Sequence, residues 1–474
     1  MARVPEVLGF REGSEMKENQ IKTVEVSGLF GYYDHKINFF DGGITIIIGE
    51  NGIGETYLLN MIHKFFSLEW GYFSEVIFDE IKFTFQNGSI LRLNIEDEQF
   101  QLRLYEGEAN YQNDLQNKYD ESMADSKKHF ELNLLNINSE LSYDQQNQMA
   151  VKLLKILPNI KRLNPMTDQD TETGQRYNRR ELLAEFGDNL VYNIIYKKVD
   201  VSLEWLQHLI DSNNTDLIEA QRLYQFRADD NSAIETIMLQ ASQIKSEFSK
   251  KDAEYNSISV KLDSQFVFEL VKRIKGDYKT EENLSERFKQ LNQKKKELEE
   301  IGLFDSLSED GTGTVSQEDV ETSKDAISLY VENTQRKLDV YNSLYGKMQL
   351  FQKLINKRFK RKKVRFNKAT GFEIIAVYEE KEELIPLSSL SSGEKNEFIL
   401  YFNLIFENKA NSIILIDEPE ISLHIKWQEN FLSDLQEILK ESEARILIAT
   451  HSPDIIGNNW EIVNDLSSEG ILND

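Results

Sequence analysis

The sequence has no cysteine, which excludes disulfides and thiolate metal sites and fits a reducing compartment. It also lacks any run of about 18 apolar residues and any signal-peptide core near its start. The expectation is a soluble, cytoplasmic chain with no membrane partner. Cations are outnumbered: 55 Lys and Arg stand against 81 Asp and Glu, a net charge of −26. A field of that sign works against non-specific adhesion to nucleic acid or anionic membrane, while leaving room for a local basic surface. Proline is scarce as well. Only six occur, none of them between Pro165 and Pro386. That interval can therefore carry long helices free of their commonest breaker.

What is present falls into two β-rich flanks around a helical centre. At 474 residues the chain is long enough for two or three units. "IKTVEVSG", "ITIIIG", "VIFDEIKFTF" and "ILRLNIE" on one side, and "FEIIAVYE", "SIILID" and "RILIAT" on the other, read as short strands bounded by turn residues. "ITIII", "IILI" and "ILIA" are apolar throughout, as in parallel strands covered on both faces. The flanks thus read as two halves of one α/β domain. Between them, Ile237, Ala241, Ile244, Phe248, Tyr255, Ile258 and Leu262 recur at helical spacing. Ile327, Val331, Leu338, Tyr341, Tyr345, Met348 and Ile355 do the same. Two such seams predict an antiparallel helical hairpin, with a bundle capping the sheet as the alternative. The predicted partition is 1–15 leader or extension, 16–111 first half-domain, 112–165 helical insertion, 166–232 associated segment, 233–358 arm and 359–474 second half-domain.

Four short motifs carry chemistry. "GENGIGET" follows a strand and opens a helix; Gly49, Gly52 and Gly54 have the spacing of a loop whose backbone N–H groups cradle phosphates, and Thr56 has the hydroxyl that such loops offer to Mg²⁺. The position where a lysine is expected holds Glu55. "SIILIDEPE" ends a buried strand in Asp417 and Glu418, placed to hold a metal shell and to activate water. "RILIATHSPDII" ends another strand at Thr450 and His451, and "LSSGEKNEFIL" runs from a Ser-Ser-Gly turn into a helix. Each motif alone has a structural reading: a strand–turn–helix, an acidic turn, a capping histidine, a helix cap.

Taken together in chain order, glycine loop, helical insert, Ser-Ser-Gly turn, strand-Asp-Glu and strand-Thr-His, the motifs resemble the ABC-type ATPase heads of the Rad50, SMC and OLD-like superfamily, over about 21–100 and 372–460. The resemblance implies an α/β fold, an ABC-type P-loop ATPase head with a helical, coiled-coil-like arm inserted between its two halves. It implies ATP and Mg²⁺ as cofactors, bound by Gly49, Glu50, Asn51, Gly52, Ile53, Gly54, Glu55, Thr56 and Tyr57. Asp417 and Thr56 would serve the metal, joined by Gln221 or Arg222 in "LIEAQRLYQF", a pair that reads equally well as two polar residues on a helix. Glu418 would be the catalytic base and His451 the switch histidine. Ser391, Ser392, Gly393 and Glu394, after Leu390, would form a signature turn acting in trans, which implies a homodimer or higher homo-oligomer. "EISLH" at 420–424 resembles the loop exchanged across such a dimer.

Residues 390–460 look more closely like the stand-alone bacterial antiphage-defence ATPases, such as PtuA of Septu and AriA of PARIS. No TOPRIM nuclease segment follows Trp460, so that resemblance implies a separate effector nuclease, of TOPRIM or HNH type, and a phage-encoded trigger. A Rad50- or RecF-like DNA-repair ATPase is the alternative. Glu55 sets a further choice. Opposite charges about 4 Å apart are worth on the order of 4 kcal/mol at an effective dielectric near 20, so a carboxylate here predicts impaired nucleotide binding and hydrolysis. The chain is either an ATPase with one disabling substitution or a nucleotide-independent scaffold. "KRFKRKKVR" at 357–365 holds seven cations and reads as a contact for nucleic acid or an acidic protein, or as a solvated helix end.

Overall fold

The computed structural model describes residues 17–96, 99–106, 130–134, 160–164, 167–170, 176–177, 209–226, 233–276, 283–304, 323–378, 381–408, 411–440, 442 and 444–468. The chain divides into two compact units. The first holds residues 1–220, 228–231 and 408–474, the second 221–227 and 232–407.

The first unit contains two sheets. One is antiparallel, ordered β2 (Tyr33–Asn38), β1 (Ile21–Leu29), β4 (Glu80–Phe85), β5 (Ser89–Glu96), β6 (Gln99–Glu106) and β7 (Phe130–Leu134). β1 and β4 alternate buried and part-exposed residues, as a sheet covered on one face should. The other is all parallel, ordered β11 (Thr215–Ile218), β17 (Ile413–Asp417), β18 (Arg445–Ala449), β3 (Ile44–Ile48) and β19 (Val463–Asp465). Helix α1 (Glu55–Phe66) leaves the end of β3. Leu58, Leu59, Ile62, Phe65 and Phe66 of α1 join one core with Val24, Val26, Phe83 and Phe85 of the antiparallel sheet and Ile413, Leu415 and Leu447 of the parallel one. Phe65 lies 4.4 Å from Phe83, ring centre to ring centre. Strands β8 (Ile160–Asn164), β9 (Thr167–Asp170) and β10 (Arg176–Tyr177) form a small sheet of their own. The described residues between 112 and 165 are thus strand, where the polar sequence had suggested helix; the rest of that interval, and the leader 1–15, lie outside the described residues.

In the second unit β12 (Tyr224–Phe226) pairs with β13 (Ala233–Glu235) and leads into α2 (Thr236–Lys275), one unbroken helix of 40 residues. Helices α3 (Leu284–Glu300), α4 (Lys324–Asp339) and α5 (Asn342–Arg358) follow. The second seam is therefore two helices, broken at Val340–Tyr341. α2 and α4 run antiparallel. Arg273 pairs with Glu332, Asp263 with Lys337, and Asp252 accepts from the Tyr341 hydroxyl. A three-stranded antiparallel sheet, β14 (Lys362–Asn367), β15 (Gly371–Tyr378) and β16 (Lys381–Ile385), packs on α2 and α5. Gly371 sits at φ +85°, and a Cβ there would stand 2.0 Å from the Ala241 carbonyl oxygen of α2, so only glycine allows this crossing. The outer side of β14 is closed by α5: Val364 N–H donates to Asn356 Oδ1 at 2.8 Å, and Val364 C=O accepts from Gln352 Nε2 at 3.1 Å. Helix α6 (Ser392–Phe402) completes the unit, with Phe398 and Phe402 packed against Phe351.

Candidate active site

Parallel strands bring their carboxyl ends to one edge of a sheet, where ligands gather in α/β proteins. β3, β18 and β17 are neighbours here. The glycine loop, Thr450–His451 and Asp417–Glu418 therefore meet although they lie hundreds of residues apart in sequence. After Ile48 the loop 49–54 turns back through Gly52 at φ +94° and Gly54 at φ +105°, values that L side chains rarely adopt. His35 of β2 holds the loop from behind, its Nε2 lying 2.8 Å from the Ile53 carbonyl oxygen. Tyr57 meets Phe30 edge-on, the ring centres 4.9 Å apart.

Thr56 and Asp417 come together as the sequence motifs required. Thr56 Oγ1 lies 3.1 Å from both Asp417 carboxylate oxygens. Glu418 follows in the left-handed region at φ +44°, a strained setting for a side-chain-bearing residue. Its N–H is anchored on the Ala449 carbonyl at 3.0 Å. His451 Nε2 is 3.2 Å from Glu418 Oε1. The backbone around His451 is fixed by Glu420, whose carboxylate accepts from the His451 N–H at 2.6 Å and the Thr450 hydroxyl at 2.7 Å. Sequence reasoning likens "EISLH", with Glu420 in it, to an intersubunit loop, and within the chain Glu420 makes the contacts just given. It had passed over His35 altogether, since nothing in "YYDHKIN" sets that histidine apart from the other five.

Glu55 does not point to solvent. It is 8% exposed, its Oε1 is buried without a hydrogen-bond partner, and that atom lies 3.6 Å from His451 Nε2. A Cβ built on Gly49 would stand 3.2 Å from the same oxygen, which places the carboxylate inside the cradle. Burial pushes the Glu55 carboxyl above its ordinary range against the pull of His451, with Asp417 and Glu420 adding to the rise. Glu418 is pushed up to about 8, first by burial, then by a hydrogen bond to Glu420 and by the charges of Glu420, Asp417 and Glu55.

In the second unit Ser391 caps α6. Its Oγ accepts the Glu394 N–H at 3.3 Å, while Glu394 Oε2 accepts the Ser391 N–H at 2.8 Å and the Ser391 hydroxyl at 2.9 Å, a reciprocal capping box. Ser392 and Gly393 are exposed and Leu390 is buried. Gln221 is exposed at the start of the unit and lies on no helix; Arg222 is buried, and its carbonyl accepts from the Thr236 hydroxyl at 2.7 Å.

The loop geometry fits a phosphate chain, and the Thr56–Asp417 oxygens fit Mg²⁺, which takes one or two protein oxygens and completes its shell from phosphates and water. Among the described residues no cluster of three His, Asp or Glu side chains is arranged to hold a metal alone. Glu55 does not fit. It sets a buried carboxylate where phosphate charge would have to lie.

A β3–loop–α1 unit with strand-end Asp, Glu and His beside it defines a P-loop ATPase head of the ABC type, interrupted in sequence by a helical arm. Residues 20–456 match the AAA ATPase domain family, and the chain belongs to it. No curated protein matches the chain. Among solved structures it is similar to the Smc head domain of Pyrococcus furiosus with an extended coiled coil, bound to the C-terminal domain of ScpA: 15% identity, TM-score 0.35, 93% of this chain and 91% of that one covered. It is also similar to the SMC head domain of Thermotoga maritima: 11% identity, TM-score 0.30, 94% of each chain covered. Among the described residues no helix is long and apolar enough to cross a membrane.

Proposed function

We propose that this chain is an ATP-binding and hydrolysing head of the Rad50/SMC/OLD-like kind, held nearly inactive by Glu55. The observation that carries the reading is the meeting of Thr56 with Asp417 at 3.1 Å beside His451 and Glu418 at 3.2 Å. Thr56 and Asp417 would hold Mg²⁺, which supplies neutralising charge to the phosphates. Glu418 would orient an attacking water and take its proton, with His451 holding the Glu418 carboxylate in place. Ser391, Ser392, Gly393 and Glu394 would complete the site of a second copy. Gln221 is the weakest member of the set, supported by its sequence context alone.

The test is ATP turnover by the full chain with Glu55→Lys. Turnover that the unaltered chain lacks supports the reading, and no turnover in the substituted chain sinks it. A second reading is favoured by Glu55 itself: a scaffold that assembles without nucleotide. Oligomer mass with and without ATP separates the two. The likeness of residues 390–460 to antiphage-defence ATPases supports a biological setting in which the assembled heads sense a phage-encoded trigger and control a separate effector nuclease. Nuclease activity in a co-purified complex, changed by ATP, is the measurement for that part.

A further inference from the structure

Residues 358–362 run along one face of the helix that carries the signature turn. Glu394, Glu397 and Tyr401 recur at i, i+3 and i+7 on α6 and so form one stripe. Arg358, the last residue of α5, takes the two inner members. Its Nε lies 2.8 Å from Glu397, its Nη2 donates to the Tyr401 oxygen at 2.7 Å, and its guanidinium sits 4.3 Å from the Tyr401 ring centre. Lys362, the first residue of β14, takes the outer member, donating to the two Glu394 oxygens at 2.8 and 2.9 Å.

Glu394 is also the residue that closes the Ser391 cap. One carboxylate therefore serves both the turn and Lys362. The Lys362 and Glu394 side chains are only 23% and 19% exposed, which sets this pair apart from loose surface ion pairs. Burial raises the Glu394 carboxyl, but the Lys362 and Ser391 contacts outweigh it and hold the group below the usual carboxylate range. The acceptor stays ionised. A capping box alone leaves its glutamate free to swing into water; a charge-assisted bond from a second element removes that freedom. Lys357, Lys360, Arg361 and Lys363, the tract's neighbouring cations, are exposed. Lys362, like Arg358, is turned onto α6, and it alone of the tract is shown on Glu394.

We infer that Lys362 is a positioning residue for the signature turn. By fixing Glu394 it keeps the Ser391 hydroxyl and the Ser392 and Gly393 amides in one arrangement. It also ties that arrangement to the placement of the segment returning from the arm. The catalytic consequence rests on the ATPase reading above; the positioning itself does not.

Hydrogen exchange on the full chain without nucleotide tests the positioning. Lys362→Met should speed exchange of the amides at 391–396 by about tenfold while leaving α4 unchanged, since the loss is a local opening. Glu394→Gln should do the same, and Lys362→Arg should stay close to the unaltered chain. Unchanged exchange in Lys362→Met, or Lys362→Arg as open as Lys362→Met, overturns the inference. The Glu55→Lys background adds a kinetic arm. There Lys362→Met should lower kcat about tenfold with the KM for ATP unchanged, because the turn serves another copy's nucleotide. A raised KM with kcat intact overturns it. If the Glu55→Lys chain turns over no ATP, the ATPase reading fails, and the exchange result still decides the role of Lys362.

Discussion

Glu55 Oε1, from the first turn of α1, and His451 Nε2, from the end of β18, lie 3.6 Å apart. The carboxylate has folded inward, and the histidine stands between it and Glu418. A phosphate entering the cradle would meet that carboxylate at close range, in a buried setting where charge is poorly screened.

Charge at position 55 should therefore grade nucleotide affinity. Glu55→Gln removes the repulsion and Glu55→Lys adds attraction, so affinity for ATP should rise in that order. The full swing is expected to be at least about a hundredfold, or ~2.7 kcal/mol. Titration calorimetry with Mg²⁺ and ATP checks it; a glutamine variant as weak as the unaltered chain would contradict electrostatic exclusion.

The pH dependence of the Glu55→Lys chain should shift. Glu418 is pushed up to about 8 first by burial, and the charge of Glu55 is among the lesser causes. A lysine at 55 replaces a raising charge with a lowering one, and a general base works only when deprotonated. Turnover of Glu55→Lys should climb with pH through a midpoint below about 8. A pH–rate profile of kcat/KM reports that midpoint.

Stability should respond to pH in the opposite sense. Glu55 and Glu418 both have folded values above the ordinary carboxyl value of 4.5. Between that value and about 8 the folded chain keeps on Glu418 a proton that the unfolded chain has released, and the raised Glu55 adds in the same direction, so this contribution to stability is complete at low pH and is lost as pH rises. Urea midpoints at pH 5 and 8 should show a fall that Glu55→Gln makes smaller. Equal falls in the two proteins would show that these carboxyls do not set the slope.

The buried pair between α5 and α6 should be costly to halve and cheap to remove. Glu397 is 0% and Arg358 5% exposed. Arg358→Ala leaves a buried carboxylate without its cation, which typically costs about 3–5 kcal/mol, whereas Arg358→Met with Glu397→Leu should fall close to the unaltered chain. Chemical denaturation of the three proteins distinguishes the cases.

Gly371→Ala should destabilise the second unit by more than about 2 kcal/mol, because φ +85° and a Cβ at 2.0 Å from the Ala241 oxygen leave no relaxed arrangement. Limited proteolysis across α2 gives a direct readout.

The meeting place of the candidate residues was more legible in the sequence than the framework around it. "ITIIIG", "SIILID" and "RILIAT" declared themselves as buried parallel strands because they are nearly apolar throughout, and the candidate site residues sit where they end. β14 was hidden by its own charge. Lys362, Lys363 and Arg365 masked the alternation of buried Val364 and Phe366, so a basic tract was visible and a strand was not. β11 follows the same rule: Thr215–Ile218 is short, and only its pairing with β17 makes it a strand. The inward fold of Glu55 had no sequence signal either, since a carboxylate after a glycine loop is as compatible with solvent as with the cradle.

Asn356 and Gln352 have a consequence for assembly. By occupying the Val364 N–H and C=O they block the middle of the hydrogen-bonding row that an incoming strand would need, so β14 is a poor edge for added partners. The opposite margin, β16, has no described strand beyond it and carries exposed Glu382 and Glu383. Extension of this sheet is favoured at β16, and the segment it recruits would have to tolerate two carboxylates.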